Sequence, residues 1–266
     1  MMFISHAQNF EDVMLWRALR NIPDGFYIDV GAADPKENSV TRAFYEHGWR
    51  GVNIEPEPGY AAALRESRPC DINLEVAAGA VPGTALLHCI SGTGLSTFDR
   101  AIAEQHTSAG FPPALAVDVE VTTVTQICRA HAPPAIHFLK IDVEGSERDV
   151  LLGTDLRAFR PWIILVEATK PFSPEIVSGT FEHLVHEADY QSCWFDGLNT
   201  FYIAAEREEH LRGAFQAPPN FFDGFVMGNY LAQASRADAA EQRAQAAEAR
   251  VKQLEMQLSE ITQRWG

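Results

Sequence analysis

The first strand of this chain lacks the glycines that a dinucleotide-binding turn requires. "GFYIDV" is followed by "GAADPKENSVT", so Gly31 stands alone where G-x-G-x-x-G would place three glycines. A pyrophosphate needs that close backbone approach, and its absence argues against a nicotinamide oxidoreductase. Positive charge is also scarce: 21 Lys and Arg face 36 Asp and Glu, for a net charge of -15. Such a surface repels phosphate backbones, so nucleic acid is not an expected partner. The four cysteines show no C-x-x-C spacing, which removes the common zinc and redox motifs and leaves buried thiols in a reducing compartment. No apolar run approaches the roughly 20 residues of a membrane span. "MMFISHAQNFEDV" lacks the basic and apolar regions of a signal peptide. A soluble, cytoplasmic protein is therefore expected.

What is present reads as an α/β domain over residues 1–230 and a helical tail over 231–266. Residues 1–24 are predicted to hold a short helix capped by Asn9. Strands are predicted at "GFYIDV", "GVNIE", "DINLEVAA", "TALLHCI", "AIHFLKIDV" and "WIILVEA", with helices at "SVTRAFYEHG", "YAAALRES", "VTQICRAH", "ERDVLLG" and residues 175–188. The alternation implies a parallel, right-handed sheet. "YQSCWFD" and "NTFYIAA" flank a Gly-Leu turn and predict a terminal antiparallel hairpin. Residues 91–118 read as a long irregular loop of the kind that covers a site.

The tail is rich in Ala, Glu, Gln and Arg. Ala237, Ala240, Ala244, Ala247, Val251, Leu254, Leu258, Ile261 and Trp265 recur at alternating steps of three and four, a heptad seam. Self-association as a homodimer, or pairing with another coiled coil, is expected through residues 244–265, with firmer packing at the bulky C-terminal end.

The candidate site lies at the strand ends. S-adenosylmethionine carries no phosphate but does carry a sulfonium and an ammonium. Asp29 beside the turn can favour that cationic end, directly or through water, and Gly31 can let the backbone approach the ligand. Glu55, at the end of the second strand, can accept hydrogen bonds from ribose hydroxyls, a role shared by nicotinamide and methyl-donor folds. "FLKIDVEGSE" clusters Lys140, Asp142 and Glu144 at another strand end. Glu167 and Asp196 end the two strands that follow. Asp142, Glu167 and Asp196 can hold Mg²⁺ if they converge, or contact substrate hydroxyls directly. His183 and His186 read as surface residues, His137 as core or rim, and His6 as a candidate site-lining residue.

These residues fall in an ordered set of blocks: "QNFEDV", "GFYIDVGAADPKENSVT", "GWRGVNIEPEP", "DINLEVAAG", "GTGLST", "FLKIDVEGSERDVL", "RPWIILVEAT", "FDGLNTFYI" and "PPNFFDGF". In this order they resemble the FkbM-type S-adenosylmethionine-dependent methyltransferases, over nearly all of residues 5–225. The resemblance implies a class I methyltransferase fold, Rossmann-like with a seven-stranded sheet. It also implies methyl transfer to a hydroxyl oxygen, of a sugar in a bacterial glycan or of a natural product. The family's Asp-x-Gly turn and strand-two Glu fall on Asp29, Gly31 and Glu55, and Asn9 of the first block joins the donor-site candidates. "GTGLST" can order over the donor through Ser96 and Thr97. Asp142 and Glu144, then Glu167, are the candidates for taking the acceptor proton. The tail lies outside the resemblance. A catalytically silent scaffold that binds S-adenosylmethionine and assembles through the tail is the rival reading.

Overall fold

The computed structural model describes residues 2–171 and 173–265, without the side chains of 232, 235, 256 and 258–265. It divides into two compact units, one of Met1–Ser5 with Phe225–Gly266 and one of His6–Gly224. In the first, strand β1 (Phe3–Ser5) pairs in parallel with a short strand at Phe225–Met227.

The larger unit begins with helix α1 (Glu11–Leu19). Asn9 does not cap it. Phe10 precedes the helix in the left-handed region (φ 62°), and no side chain caps the end. The acidic residues of the first turn reach back instead. Glu11 Oε2 accepts from Asn9 N, and Asp12 Oδ2 accepts from the backbone N–H groups of His6 and Ala7. Carboxylates at this end also suit the helix dipole.

Strand β2 (Phe26–Val30), helix α2 (Arg42–Glu46), strand β3 (Arg50–Ile54), helix α3 (Pro58–Ser67) and strand β4 (Ile72–Leu74) follow. The expected strand "DINLEVAA" is split, because Ala77 and Ala78 form β5 in a different sheet. Strand β6 (Gly83–Cys89) comes next. The expected irregular stretch 91–118 contains helix α4 (Arg100–Ser108) and the first half of strand β7 (Leu115–Thr122). Asp99 caps α4 by accepting from Ala101 N and Ile102 N, and "LAVDVEVT" alternates as a half-buried strand does.

Helix α5 (Val124–His131), strand β8 (Phe138–Ile141), helix α6 (Glu147–Leu152) and strand β9 (Ile163–Glu167) form the next crossovers. In place of one helix over 175–188 there is a 3₁₀ turn at Ser178–Thr180 and helix α7 (Glu182–His186). Strands β10 (Tyr190–Phe195) and β11 (Asn199–Ala204) form the expected antiparallel hairpin, and a short helix α8 (Glu208–Leu211) follows.

The seven-stranded sheet has the order β10-β11-β9-β8-β2-β3-β4, and β11 alone runs against the rest. Period-two alternation sends Ile28, Val30, Leu139, Ile141, Ile164 and Val166 to one apolar layer. Tyr27, Phe138, Ile163, Leu165 and Phe201 face the other, against Met14, Leu15 and Leu19 of α1. The small sheet has the order β5-β7-β6. All four cysteines are free. Cys89 and Cys128 are buried as expected, whereas Cys70 is exposed.

In the smaller unit, strand β12 (Phe225–Met227) leads into the 38-residue helix α9 (Gly228–Trp265), about 57 Å long at 1.5 Å per residue. Ala237, Ala240, Ala244, Ala247, Val251 and Leu254 of the seam are exposed. The seam side chains Leu258, Ile261 and Trp265 lie outside the described residues. Among the described residues no helix is long and apolar enough to cross a membrane.

Candidate active site

In the larger unit a cavity of about 260 Å³ opens where β2 meets β3 on one side and β8 on the other. Successive crossovers leave β2 in opposite directions there, the place where open α/β sheets bind ligands. Val30 and Gly31 line it from β2, Ile54 and Glu55 from β3, and Lys140, Asp142, Val143 and Glu144 from β8. Its acidic lining residues are Asp34, Glu37, Glu55, Asp142 and Glu144, and Lys140 is the one basic lining residue among those described.

Gly31 is required by the neighbouring strand. Its φ is +76°, and a Cβ there would lie 1.8 Å from the Asp142 carbonyl oxygen. The expectation that this glycine serves ligand approach is thus joined by a structural need: only a hydrogen fits between the ends of β2 and β8. Asp29 does not line the cavity. It is 1% exposed and sits across the β2–β8 pairing from Lys140. The Lys140 ammonium lies 3.2 Å from Asp29 Oδ1 and 3.3 Å from Asp142 Oδ2, and donates to the Gly31 carbonyl at 2.7 Å. Desolvation alone would lower the lysine's proton affinity, but Asp142 and Asp29 outweigh it and hold the ammonium above its ordinary range. Asp29 Oδ2 accepts from Thr41, whose hydroxyl in turn accepts from the buried Arg68. Arg68 also donates to Pro35 O and Ser39 Oγ. This chain of bonds ties the loop after β2 to the cavity floor. Asp29 thus reaches the cavity wall through its ion pair with Lys140.

Glu55 lines the cavity, and both its oxygens are held by backbone. Oε2 accepts from Ala33 N at 2.8 Å and Oε1 from Glu57 N at 2.9 Å. Burial raises its carboxyl to about 7, with the two N–H groups opposing the rise. Each oxygen keeps a lone pair for a further donor.

After β8, Glu144 adopts φ 51° and Gly145 φ 101°, a turn of two left-handed residues. Glu147 Oε1 accepts from Val143 N and Gly145 N, closing the turn from inside. Burial, then Asp142 and Glu147, raise the Glu144 carboxyl to about 8. Glu167 closes β9 beside this segment and is buried outside the cavity, with no hydrogen-bond partner at Oε2. Burial, then Asp142, Glu144 and Glu147, push it up to about 10.

Asp142, Glu167 and Asp196 do not converge. Among the described residues no three His, Cys, Asp or Glu side chains are grouped to hold a metal ion. Asp196 instead closes its own turn, with Oδ1 accepting from Leu198 N and Asn199 N. Its carbonyl accepts from Asn9 Nδ2, and Asn199 donates to Glu11 Oε1. Asn9 thus joins "QNFEDV" to "FDGLN" and does not line the cavity. Glu11, which the sequence reading passed over, is buried and raised to about 7. His6 is also off the cavity, 3.4 Å from Glu46. His137 is a core residue whose Nδ1 accepts from Phe26 N. His186 bonds to the Tyr190 carbonyl at the protein surface.

The segment 92–98 lines the cavity through Gly92, Thr93, Gly94, Leu95, Ser96 and Phe98. Ser96 Oγ accepts from Ile90 N. Thr97 is buried and points away, donating to the Glu144 carbonyl. Tyr60 joins the wall beside Gly94. Lys140 is the site residue that sequence reasoning noticed without assigning. Its period-two spacing from Asp142 was the available signal.

The model of the methyltransferase FkbM domain matches residues 29–192, more than half of the chain. This chain belongs to the FkbM methyltransferase family. The matched region holds every cavity-lining residue except Gln8. Among solved structures, the chain is similar to a methyltransferase FkbM from Methylobacillus flagellatus KT, at 14% identity and a TM-score of 0.47, over 72% of this chain and 47% of that one. It thus spans about half the length of that protein. It is also similar to a TehB-like SAM-dependent methyltransferase from Corynebacterium glutamicum ATCC 13032 Kitasato, at 8% identity and a TM-score of 0.39, over 73% of this chain and 87% of that one. Comparison with curated proteins gives no match.

Proposed function

We propose that the cavity binds S-adenosylmethionine and that this FkbM methyltransferase methylates a hydroxyl oxygen, of a sugar in a bacterial glycan or of a natural product. One observation carries the donor reading: the lining is acidic, and Lys140, its basic residue, is already matched by Asp29 and Asp142. That field favours a cationic ligand and repels a pyrophosphate. Glu55 fits a ribose diol through its spare lone pairs. Bound there, the donor would supply a methyl group on a positively charged sulfur.

The chain's own residues handle the acceptor. A sugar hydroxyl is a poor nucleophile and needs a base. Glu144 lines the cavity and titrates near 8, so its base form grows as pH rises through that value. It would take the hydroxyl proton as the oxygen–carbon bond forms and the carbon–sulfur bond to the donor breaks. Asp142 beside it is paired with the Lys140 ammonium at 3.3 Å. The donor set does not support Mg²⁺, and no step uses it.

Calorimetry with S-adenosylmethionine and with NAD tests the donor, and release of S-adenosylhomocysteine on offering candidate sugars tests the transfer. Binding of the first ligand and not the second is expected. Binding without turnover on any acceptor would favour the silent scaffold.

We also infer a homodimer through residues 244–265. A lone helix is marginal in water, and the exposed Val251 and Leu254 of α9 supply part of a seam that a second copy can cover. Light scattering should show a dimer that Val251→Lys with Leu254→Lys converts to monomer. A wild-type monomer at high micromolar concentration would point to a different partner coiled coil.

A further inference from the structure

Glu144 is a non-glycine residue at φ 51° on the wall of the cavity. Left-handed backbone at such a residue is strained and persists only where the surroundings impose it. Two clamps impose it here. The Glu147 carboxylate holds the N–H groups on either side, Val143 and Gly145, from within the same segment. The second clamp comes from 47 positions away: the Thr97 hydroxyl donates to the Glu144 carbonyl at 2.9 Å.

Thr97 is itself fixed. It is 1% exposed and exchanges both backbone hydrogen bonds with His88. Its hydroxyl oxygen also accepts from Asp99 N, the residue that caps α4. From the same helix, Ile102 lies so close to Gly145 that a Cβ there would meet its Cδ1 at 3.1 Å. The neighbours of Thr97 on either side, Ser96 and Phe98, line the cavity. One segment therefore forms part of the ligand wall and grips the backbone of the residue next to it.

We propose that Thr97 is a positioning residue, whose hydroxyl holds the Glu144 carbonyl and so aims the Glu144 carboxyl into the cavity at the acceptor oxygen. This rests on the reading of Glu144 as the base and adds what sets it. The cavity wall and the base are then placed together, and a ligand that orders 92–98 also orders Glu144. Asp142 and Glu147 from its own segment, Lys140 of β8 and Glu167 of β9 are the charged groups that face Glu144.

The test uses the full chain and needs no acceptor. Thr97→Val keeps the shape and loses the hydroxyl, and Thr97→Ser keeps the hydroxyl. The Glu144 carboxyl is titrated by carbon-13 NMR, assigned with Glu144→Gln. In Thr97→Val the turn relaxes, the carboxyl gains water, and its midpoint falls from about 8 by about tenfold in proton affinity or more. Thr97→Ser restores the wild-type midpoint. An unchanged midpoint in folded Thr97→Val overturns the proposal, and so does a fall that Thr97→Ser shares. Should Thr97→Val not fold, Thr97→Ala is read by the same criterion. Should that fail too, wild type against Thr97→Ser decides: a midpoint shifted in the serine variant overturns the proposal, and an equal midpoint supports it. Calorimetry of the wild type with S-adenosylmethionine runs beside it. Absence of binding there removes the donor reading and leaves the link between Thr97 and Glu144 to stand or fall on the titration.

Discussion

Glu55 follows β3 and Glu167 closes β9, two parallel strands whose ends face the same edge of one sheet. Both side chains are buried, at 6% and 8% exposure. Glu55 rests each oxygen on a backbone N–H, from Ala33 and from Glu57, and its carboxyl stands at about 7. Glu167 has an oxygen without a partner and faces Asp142, Glu144 and Glu147, and its carboxyl stands at about 10. Equal burial thus gives unequal ionisation. Burial is the largest effect on both, and what separates them is whether amides or carboxylates surround the group. The first can serve as an anion near neutral pH, and the second is a hydrogen-bond donor there.

The largest way to break this contrast is to remove the turn that delivers an amide to Glu55. Gly31→Ala forces a Cβ to within 1.8 Å of the Asp142 carbonyl at φ +76°. The ends of β2 and β8 must separate, and Ala33 N–H leaves Glu55. A loss of about 4 kcal/mol or more, or failure to fold, is expected in urea unfolding. A stability within 1 kcal/mol of wild type, on the order of an ordinary surface change, would show that the strand ends can yield.

A smaller effect comes from Glu55→Gln, which keeps the shape and removes the charge. Donor affinity should fall by about 1–3 kcal/mol with the fold retained, as calorimetry with S-adenosylmethionine would read. Unchanged affinity would detach Glu55 from the donor.

The smallest effect at pH 5 belongs to Glu167→Gln, and it grows as pH rises. The native carboxyl holds its proton up to about 10, whereas an ordinary glutamate gives it up near 4.5. Between those values the folded state binds more protons than the unfolded chain, so this group's contribution falls as pH rises. The variant should match wild type within about 1 kcal/mol at pH 5 and unfold later than wild type near pH 9. Parallel stability curves from pH 5 to pH 9 would show that Glu167 is ionised throughout.

Much of this architecture was legible in the chain. Glycine punctuation and period-two runs gave β2, β3, β8, β9 and the terminal hairpin, because those signals are local. Asp99 before α4 and the alternation of "LAVDVEVT" were equally local and were overlooked under a stretch of glycine, serine and proline. The split of "DINLEVAA" was not legible, since nothing within those residues says that β4 and β5 pair with different partners. Asn9 looked like a cap because capping residues and residues that bond across the fold are the same types.

By itself the sequence determined which carboxylates stand at strand ends, that no phosphate cradle follows β2, and that the tail is one long helix with an apolar stripe. Those follow from residue type and spacing along the chain. Only the tertiary structure decided what each carboxylate does. It set Asp29 opposite Lys140, gave Glu55 its amides, left Glu167 among like charges, turned Asp196 and Asn9 to each other, and brought Thr97 under Glu144. Ionisation and orientation depend on distances of about 3 Å between groups that are tens of residues apart, and such distances exist only once the sheet has closed its register.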